Sequence, residues 1–203
     1  MASQVAHIVY AEKYFEKYPS TIDKDQFLLG CVFPDIRRID PKVKRRDTHL
    51  ILGALNLDFS YLDSFHAGWK FHLYCDMRRE EILNALGFYA EEGSAAMLNL
   101  PAKLLEDELL YGQYLNWEKV TQYFRDTPIV DSGINVSRET FELWYAIVAK
   151  YIEVCPNSRT MGIFLSKQPD LAPISREVVG LVDKLRENDK VIELLQKVAD
   201  GIV

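Results

Sequence analysis

Histidine and aspartate are the residue types in this sequence best suited to chemistry. His72 and Asp76 stand four residues apart in a stretch, Ser64 to Asp76, that no proline or turn cluster interrupts. At about 100° per residue, a helix projects both side chains from one face, about one turn apart. An imidazole and a carboxylate so placed can bind one metal ion, although the same pair on many helices forms only a hydrogen bond.

The positions of the other candidates favour the metal site. All four histidines lie in the first 72 of 203 residues, and Asp35 follows Pro34 at the end of a short apolar segment. Imidazole and carboxylate suit Zn²⁺, in one or two ions, with Mn or Fe as alternatives. The candidate ligands are His7, Asp35, His49, His72 and Asp76.

Two further residues on the same helix are candidates for supporting the ligands without binding the ion. His66 precedes His72 by six residues, which places it about 120° away around a helix. We therefore expect His66, together with Trp69, to support the site or the fold without binding the ion.

A basic segment lies between two candidate ligands. Six of the ten residues from 37 to 46 are Lys or Arg. The segment is either a solvated surface loop or a rim that attracts phosphate, since arginine presents a planar fork to phosphate oxygens. The rim candidates are Arg37, Arg38, Arg45 and Arg46.

Composition is typical of a globular protein with one sizeable core. The net charge of −6 argues against a broad nucleic-acid-binding surface, which would have an excess of Lys and Arg. We expect a cytoplasmic protein, because the sequence has no transmembrane run and no secretory signal pattern. The three cysteines include no C-x-x-C pair and are expected to be buried, reduced thiols: Cys31, Cys75 and Cys155.

Hydrophobic periodicity predicts an all-α, multi-helix bundle in one domain, 1–203. We expect a metal-site core in 1–90 and a helical C-terminal part in 91–203, with a candidate joint at 126–137. Pro34 is expected to take Phe33 out of helical geometry and turn the chain. The wide apolar face of the last segment suits a helix that covers the core or forms a homodimer. Predicted helices cover 4–18, 26–33, 64–86, 95–115, 117–125, 138–154, 159–166 and 176–199.

The first 80 residues resemble the zinc-dependent phospholipase C family. That family has an early helical histidine, an F-x-x-G-x-x-x-P-D segment (here residues 27–35), a histidine after a variable loop, and G-[WY]-x-x-H-x-x-x-D (here residues 68–76). The resemblance implies an all-α fold related to the zinc-dependent single-strand nucleases. It also implies that the five candidates face metal, with Asp76 bridging two ions and Asp35 acting as ligand or general base.

The sequence departs from that family downstream. Family phospholipases hold a further ion through histidines and a glutamate beyond the H-x-x-x-D helix, whereas this chain has no histidine after His72. Acidic residues such as Glu106 and Asp107 could substitute, although an acidic helix face is usually solvated. A mononuclear or dinuclear site is therefore expected.

The function expected from these residues is a metal-dependent, phospholipase C-like phosphoesterase. Its substrate would be a small or lipid-like phosphodiester or phosphomonoester, attacked by a metal-activated water. The alternative is a non-catalytic helical protein with a structural or relic metal site. An HD-domain phosphohydrolase fits less well, since it needs adjacent His and Asp and this chain has Asp47-Thr48-His49.

Overall fold

A computed structural model describes residues 3–50, 55–92 and 95–203, and across these ranges the protein is all-helical with no strand. The all-α expectation is therefore confirmed. The α-helices are α1 (Gln4–Lys17), α2 (Lys24–Val32), α3 (Arg45–Thr48), α4 (Ser64–Ala85), α5 (Phe88–Glu92), α6 (Ala95–Leu110), α7 (Trp117–Arg125), α8 (Arg138–Ile152), α9 (Ser158–Ser166), α10 (Ser175–Arg186) and α11 (Asp189–Gly201). Short 3₁₀ helices cover Phe33–Arg38, Tyr111–Gln113 and Ala172–Ile174.

Local signals fix the ends of the two helices that matter most for the site. Asp23 caps α2 by accepting a hydrogen bond from the Gln26 N–H at 2.9 Å, and Asp63 caps α4 by accepting from the His66 N–H at 2.9 Å. Such caps satisfy backbone donors that a first helical turn leaves open. Gly87, with φ of 72°, follows the end of α4 in the left-handed conformation that glycine tolerates.

Helices α2 and α4 cross in backbone contact at two glycines. A Cβ at Gly30 would overlap the carbonyl oxygen of Phe65, and one at Gly68 would overlap that of Phe27. Only glycine allows this approach, because any side chain would push the helices apart. The crossing explains both glycines of the sequence motifs and sets the spacing between the chain that leads to Asp35 and the helix that carries His72.

The expected turn at Pro34 was wrong. Phe33 has helical backbone angles (φ −60°, ψ −43°), and the chain runs on into the 3₁₀ helix with Pro34 in its first turn. Proline is tolerated there because the N–H it lacks would have no partner inside the helix. The indole N–H of Trp144, on α8, donates to the carbonyl of Val32 at 3.0 Å and thereby supports the junction just before Asp35.

The predicted helix 176–199 is two helices. Asn188 interrupts it and caps α11 by accepting from the N–H groups of Lys190 at 3.1 Å and Val191 at 3.4 Å. The apolar face of α11 is buried within this chain through Val191, Leu195 and Val198, and α11 contacts α4 and α6.

One hydrophobic cluster includes residues from every α-helix except α3. The segment 127–137 joins α7 to α8 as a loop, and its Ile134 and Val136 pack against that cluster. Cys31 and Cys75 are buried as expected, but Cys155 is exposed, which corrects the expectation for the third cysteine. None of the described helices is both long and apolar enough to cross a bilayer.

Candidate metal centre

Five side chains from four segments converge at one place. His7 comes from α1, Asp35 from the 3₁₀ turn after α2, His49 from the residue after α3, and His72 and Asp76 from α4. The Nε2 atoms of His7, His72 and His49 lie 3.9, 3.8 and 4.0 Å from carboxylate oxygens of Asp76. His49 Nε2 also lies 3.9 Å from Oδ1 of Asp35. These separations are too long for hydrogen bonds and leave space between the atoms.

The side chains form two overlapping groups of potential ligands. One contains His7, His72 and Asp76, and the other contains Asp35, His49 and His72; within each, the ligand atoms lie within 4.8 Å of one another. Asp76 directs Oδ1 toward His7 and Oδ2 toward His49 and His72. The arrangement can hold one ion, or two that share the Asp76 carboxylate.

Each histidine is anchored through its Nδ1 atom. His7 Nδ1 lies 2.5 Å from the Ser3 carbonyl oxygen, and His72 Nδ1 lies 2.7 Å from the Cys31 carbonyl oxygen. A carbonyl only accepts, so these Nδ1 atoms carry the proton and Nε2 keeps its lone pair. His49 Nδ1 contacts the Thr48 hydroxyl at 2.9 Å.

The opposite ring atoms are buried and have no hydrogen-bond partner among the described residues. These atoms are Nε2 of His7, His49 and His72. Buried polar atoms in native proteins are nearly always satisfied, so three orphans facing one space need an explanation. The arrangement could hold a metal ion, because anchoring through Nδ1 and a free Nε2 are typical of histidine ligands.

Burial holds the three imidazoles in the neutral form. Desolvation lowers the pKa of His7 and lowers that of His72 well below its ordinary value. It also lowers the pKa of His49 to about 3, against the attraction of Asp35. Neutral imidazole is the form that binds metal.

The two carboxylates are ionised although they are buried. Burial opposes ionisation of Asp35, but Coulombic effects of neighbouring groups, among them His72, His49 and Arg38, hold its pKa well below the usual value. For Asp76, burial is likewise outweighed, with Lys103 the largest favourable influence, and its pKa is well below the usual value. The side-chain amide of Gln4 donates to Oδ2 of Asp35 at 3.1 Å, which orients that carboxylate.

Of the two residues predicted to support the site, Trp69 contacts a segment that carries a candidate ligand, whereas His66 does not. Trp69 donates its indole N–H to the Thr48 carbonyl at 2.7 Å, so it holds the segment that presents His49. His66 contacts Asp63 at 2.7 Å near the start of α4, and its ring stacks on Trp69 with centroids 6.0 Å apart. His66 thus lies away from the ligand cluster.

The four arginines of the basic segment differ in their burial and in their distance from the candidate ligands. Arg37 Nη2 lies 3.9 Å from Oδ1 of Asp35 and the side chain is largely buried. Burial lowers the Arg37 pKa, and the nearby guanidiniums of Arg38 and Arg45 act in the same direction. Arg45 lines a cleft that reaches Asp76. The side chain of Arg46 is 87% exposed and lies 3.8 Å from Asp47.

The cleft that Arg45 lines is an open path to the candidate ligands. It has a volume of about 360 Å³ and is lined by Arg45, Asp76, Glu80 and Lys103, among others. Asp76 is 14% exposed, whereas the other four side chains are at most 4% exposed. A small molecule would therefore reach the cluster at Asp76.

Sequence reasoning missed the cation beside the site. Lys103, on α6, is 1% exposed and pairs with Oδ1 of Asp76. Asn99, Lys103 and Glu106 recur at spacings of four and three within an otherwise apolar stretch of α6, so they form a polar stripe on one helix face. That stripe was the available signal, since apolar surroundings indicate burial and a buried charge requires a partner.

Two neighbouring acidic residues are buried instead of solvated. Glu106 accepts hydrogen bonds from the Tyr10 hydroxyl at 2.8 Å and from Arg79 Nε at 2.5 Å. Asp107 accepts from the Ala6 N–H at 2.9 Å and the Tyr151 hydroxyl at 3.0 Å. These bonds link α6 to α1, α4 and α8, so the acidic face of α6 is structural.

Comparisons with known proteins give no assignment. No protein-family model matches the sequence, and searches of curated proteins and of solved structures find no match.

Proposed function

We propose that this protein is a metal-dependent phosphoesterase whose ligands are His7, Asp35, His49, His72 and Asp76. The observation that carries the proposal is the set of three buried imidazole Nε2 atoms that have no hydrogen-bond partner among the described residues. They lie 3.8 to 3.9 Å from oxygens of the two ionised carboxylates, too far for hydrogen bonds to them. Zinc is the proposed metal, with manganese or iron as alternatives, because the donor set is nitrogen and carboxylate oxygen.

A bound ion would supply a Lewis acid for a phosphoryl oxygen and would acidify a water molecule. The chain's own groups have distinct parts in this proposal. Asp76 receives the ion and faces the cleft, Lys103 fixes one Asp76 oxygen, and Arg45 attracts the phosphoryl group. The low pKa of Asp35 favours a ligand over a general base, since a weakly basic carboxylate is a poor proton acceptor.

The resemblance to the zinc-dependent phospholipase C family supports the same proposal. We propose that the bundle is of that type, with its metal half in the first 80 residues. The motif glycines support this view, because Gly30 and Gly68 allow the crossing of α2 and α4 that brings the ligand segments together.

Metal analysis and Asp35→Asn test the proposal. Protein purified without a metal-affinity tag should contain one to two equivalents of transition metal, and it should hydrolyse an aryl phosphomonoester or phosphodiester. Asp35→Asn should abolish hydrolysis, whereas Asp200→Asn, a matched change at a side chain that is 84% exposed, should retain it. Wild-type protein that neither contains nor takes up metal would exclude the proposal.

The second candidate is a structural metal site without catalysis. The near-complete burial of His7, Asp35 and His72 favours it, since structural zinc sites are closed whereas catalytic sites keep an open position. A metal-loaded protein that is inert toward both ester types, and that loses stability on chelation, would establish this alternative. The exposure of Asp76 to the cleft favours the catalytic proposal instead.

A further inference from the structure

The four arginines in the basic segment differ in burial and in position relative to the cleft. Arg37 and Arg38 are half-buried, and each has a buried Nε atom with no hydrogen-bond partner among the described residues. Arg45 lines the cleft beside Asp76. Arg46 extends into solvent. Guanidinium N–H groups that are buried without acceptors are costly unless an acceptor arrives with a ligand.

The charges around the cleft favour an anionic ligand. The carboxylates of Asp35 and Asp76 carry two negative charges, which a single divalent ion would neutralise. Lys103 and Arg45 line the cleft and Arg37 lies 3.9 Å from Asp35, so positive groups outnumber these two carboxylates even before an ion binds. Two acidic residues also line the cleft, but Glu80 pairs with Arg79 at 3.2 Å and Glu81 pairs with Arg78 at 3.0 Å.

We infer that Arg37, Arg38 and Arg45 form a subsite for a phosphate dianion, so that the substrate is a phosphomonoester in preference to a phosphodiester. This inference rests on the proposed hydrolase function. A monoester phosphate carries about two negative charges at neutral pH, whereas a diester carries one and has one more substituted oxygen. Arginine forks that bind two oxygens at a time therefore discriminate in favour of the monoester.

The kinetic test compares p-nitrophenyl phosphate with bis(p-nitrophenyl) phosphate as substrates of the zinc-loaded protein. Wild type should favour the monoester. Arg45→Gln should lower kcat/KM for the monoester by ~10- to 100-fold, the effect of losing one or two charge-assisted hydrogen bonds, and should lower the diester value much less. Arg46→Gln makes the same change of charge at the next residue, which does not line the cleft, and should leave both values within about twofold. Preference of wild type for the diester, or equal effects of the two variants, would overturn the inference.

A binding measurement separates failure of the subsite from failure of the hydrolase proposal. Calorimetry with inorganic phosphate on metal-free protein should show binding that weakens in Arg45→Gln and persists in Arg46→Gln. If neither ester is hydrolysed but this pattern holds, the hydrolase proposal fails and the anion subsite stands. If phosphate binds both variants equally, the subsite fails whatever the hydrolysis shows.

A third comparison identifies the source of the phosphate. Soluble glycerol phosphate and vesicles that contain phosphatidic acid present the same dianion. Hydrolysis of either one supports the inference and assigns the source, whereas hydrolysis of neither, by protein active on the diester, contradicts it.

Discussion

The imidazole rings of His7 and His72 stack with centroids 4.1 Å apart and planes 10° from parallel, although they belong to different helices. Two imidazolium rings could not share this position, because each would be desolvated and would repel the other. Burial is the main reason that both pKa values are lowered, and the Coulombic effect of His7 lowers that of His72 further.

The metal-free protein should therefore lose stability as the pH falls. The histidine pKa values are lowered in the folded state from 6.5, that of His49 to about 3. The unfolded chain then binds more protons below pH 6.5, so the stability is complete above that pH and falls below it. Each histidine contributes a slope of up to ~1.4 kcal/mol per pH unit. Urea unfolding in chelator from pH 7.5 to 4.5 measures this slope, which His72→Asn should reduce; an unchanged slope in that variant would contradict the assignment.

Zinc affinity should fall when His72 is replaced but not when His66 is replaced. His72→Asn removes a proposed ligand and should lower zinc affinity by more than the ~10- to 100-fold that loss of a supporting partner costs. His66→Asn is the control, since His66 lies on the same helix but contacts Asp63. Equilibrium dialysis with elemental analysis gives both affinities. Equal affinity in the two variants would show that His72 does not bind the ion.

The helix crossing should not tolerate a methyl group. Gly30→Ala or Gly68→Ala places a Cβ against a backbone carbonyl, and neither helix can yield without moving the ligand segments. We expect each variant to lose more than ~3 kcal/mol of stability, the range of severe core disruptions. Gly180→Ala is the control: a Cβ there has open space, and the helix should gain about 0.5–1 kcal/mol. Denaturant unfolding tests all three, and mild effects at the crossing would contradict the contact.

Gly30 and Gly68 illustrate which parts of the fold could be predicted from the sequence and which could not. The helical periodicity around His72 predicted α4, and the four-residue spacing predicted that His72 and Asp76 share a face. The crossing at Gly30 and Gly68 depends on contacts between segments far apart in sequence, which periodicity does not encode. The same limit explains the single helix predicted for 176–199, where the cap at Asn188 outweighed a continuous apolar pattern.

The candidate ligands could be identified from residue type, but their surroundings could not be predicted. His7, Asp35 and His49 were found by residue type and order, whereas their distances follow from the packing of α1, α2 and α4. The different settings of Arg37 and Arg46 were not predictable, because six basic residues in ten positions look alike until the chain is folded. Lys103 was missed because its partner, Asp76, lies 27 positions earlier on another helix, and sequence spacing does not show that the two helices bring them together.

Asp107 should make the free energy of unfolding fall as the pH rises, which is the opposite of the effect predicted for the three buried histidines. Burial raises its pKa to about 7, so the folded state binds more protons than the unfolded state between pH 3.8 and 7. The stability from this group is complete below pH 3.8 and is lost as the pH rises through 7.

Asp107→Asn keeps an acceptor for the Ala6 N–H and removes the titration. Relative to wild type, this variant should gain stability by an amount on the order of a few kcal/mol between pH 4 and 7, with little change above. Thermal unfolding across this range measures the difference. A constant difference between the two proteins would show that Asp107 does not titrate there.

Replacing Lys103 should make the thermal stability of the protein depend more strongly on bound metal. Lys103→Met removes the Lys103 ammonium from the Asp76 carboxylate, and breaking a buried pair typically costs about 3–5 kcal/mol. Bound zinc restores a positive charge, so the rise in Tm on adding zinc should be larger in Lys103→Met than in wild type. A rise equal to or smaller than that of wild type would show that bound zinc does not replace the Lys103 charge at Asp76.

The Lys103 ammonium also differs from any metal in being tethered to the backbone. A chelator can strip an ion from the pocket, but it cannot remove an amine that belongs to α6. The emptied pocket therefore retains a counter-charge for Asp76, and repulsion between its two carboxylates is partly relieved. In the proposed metal site, the fold would in this way persist after the ion is removed and would bind a new ion without refolding.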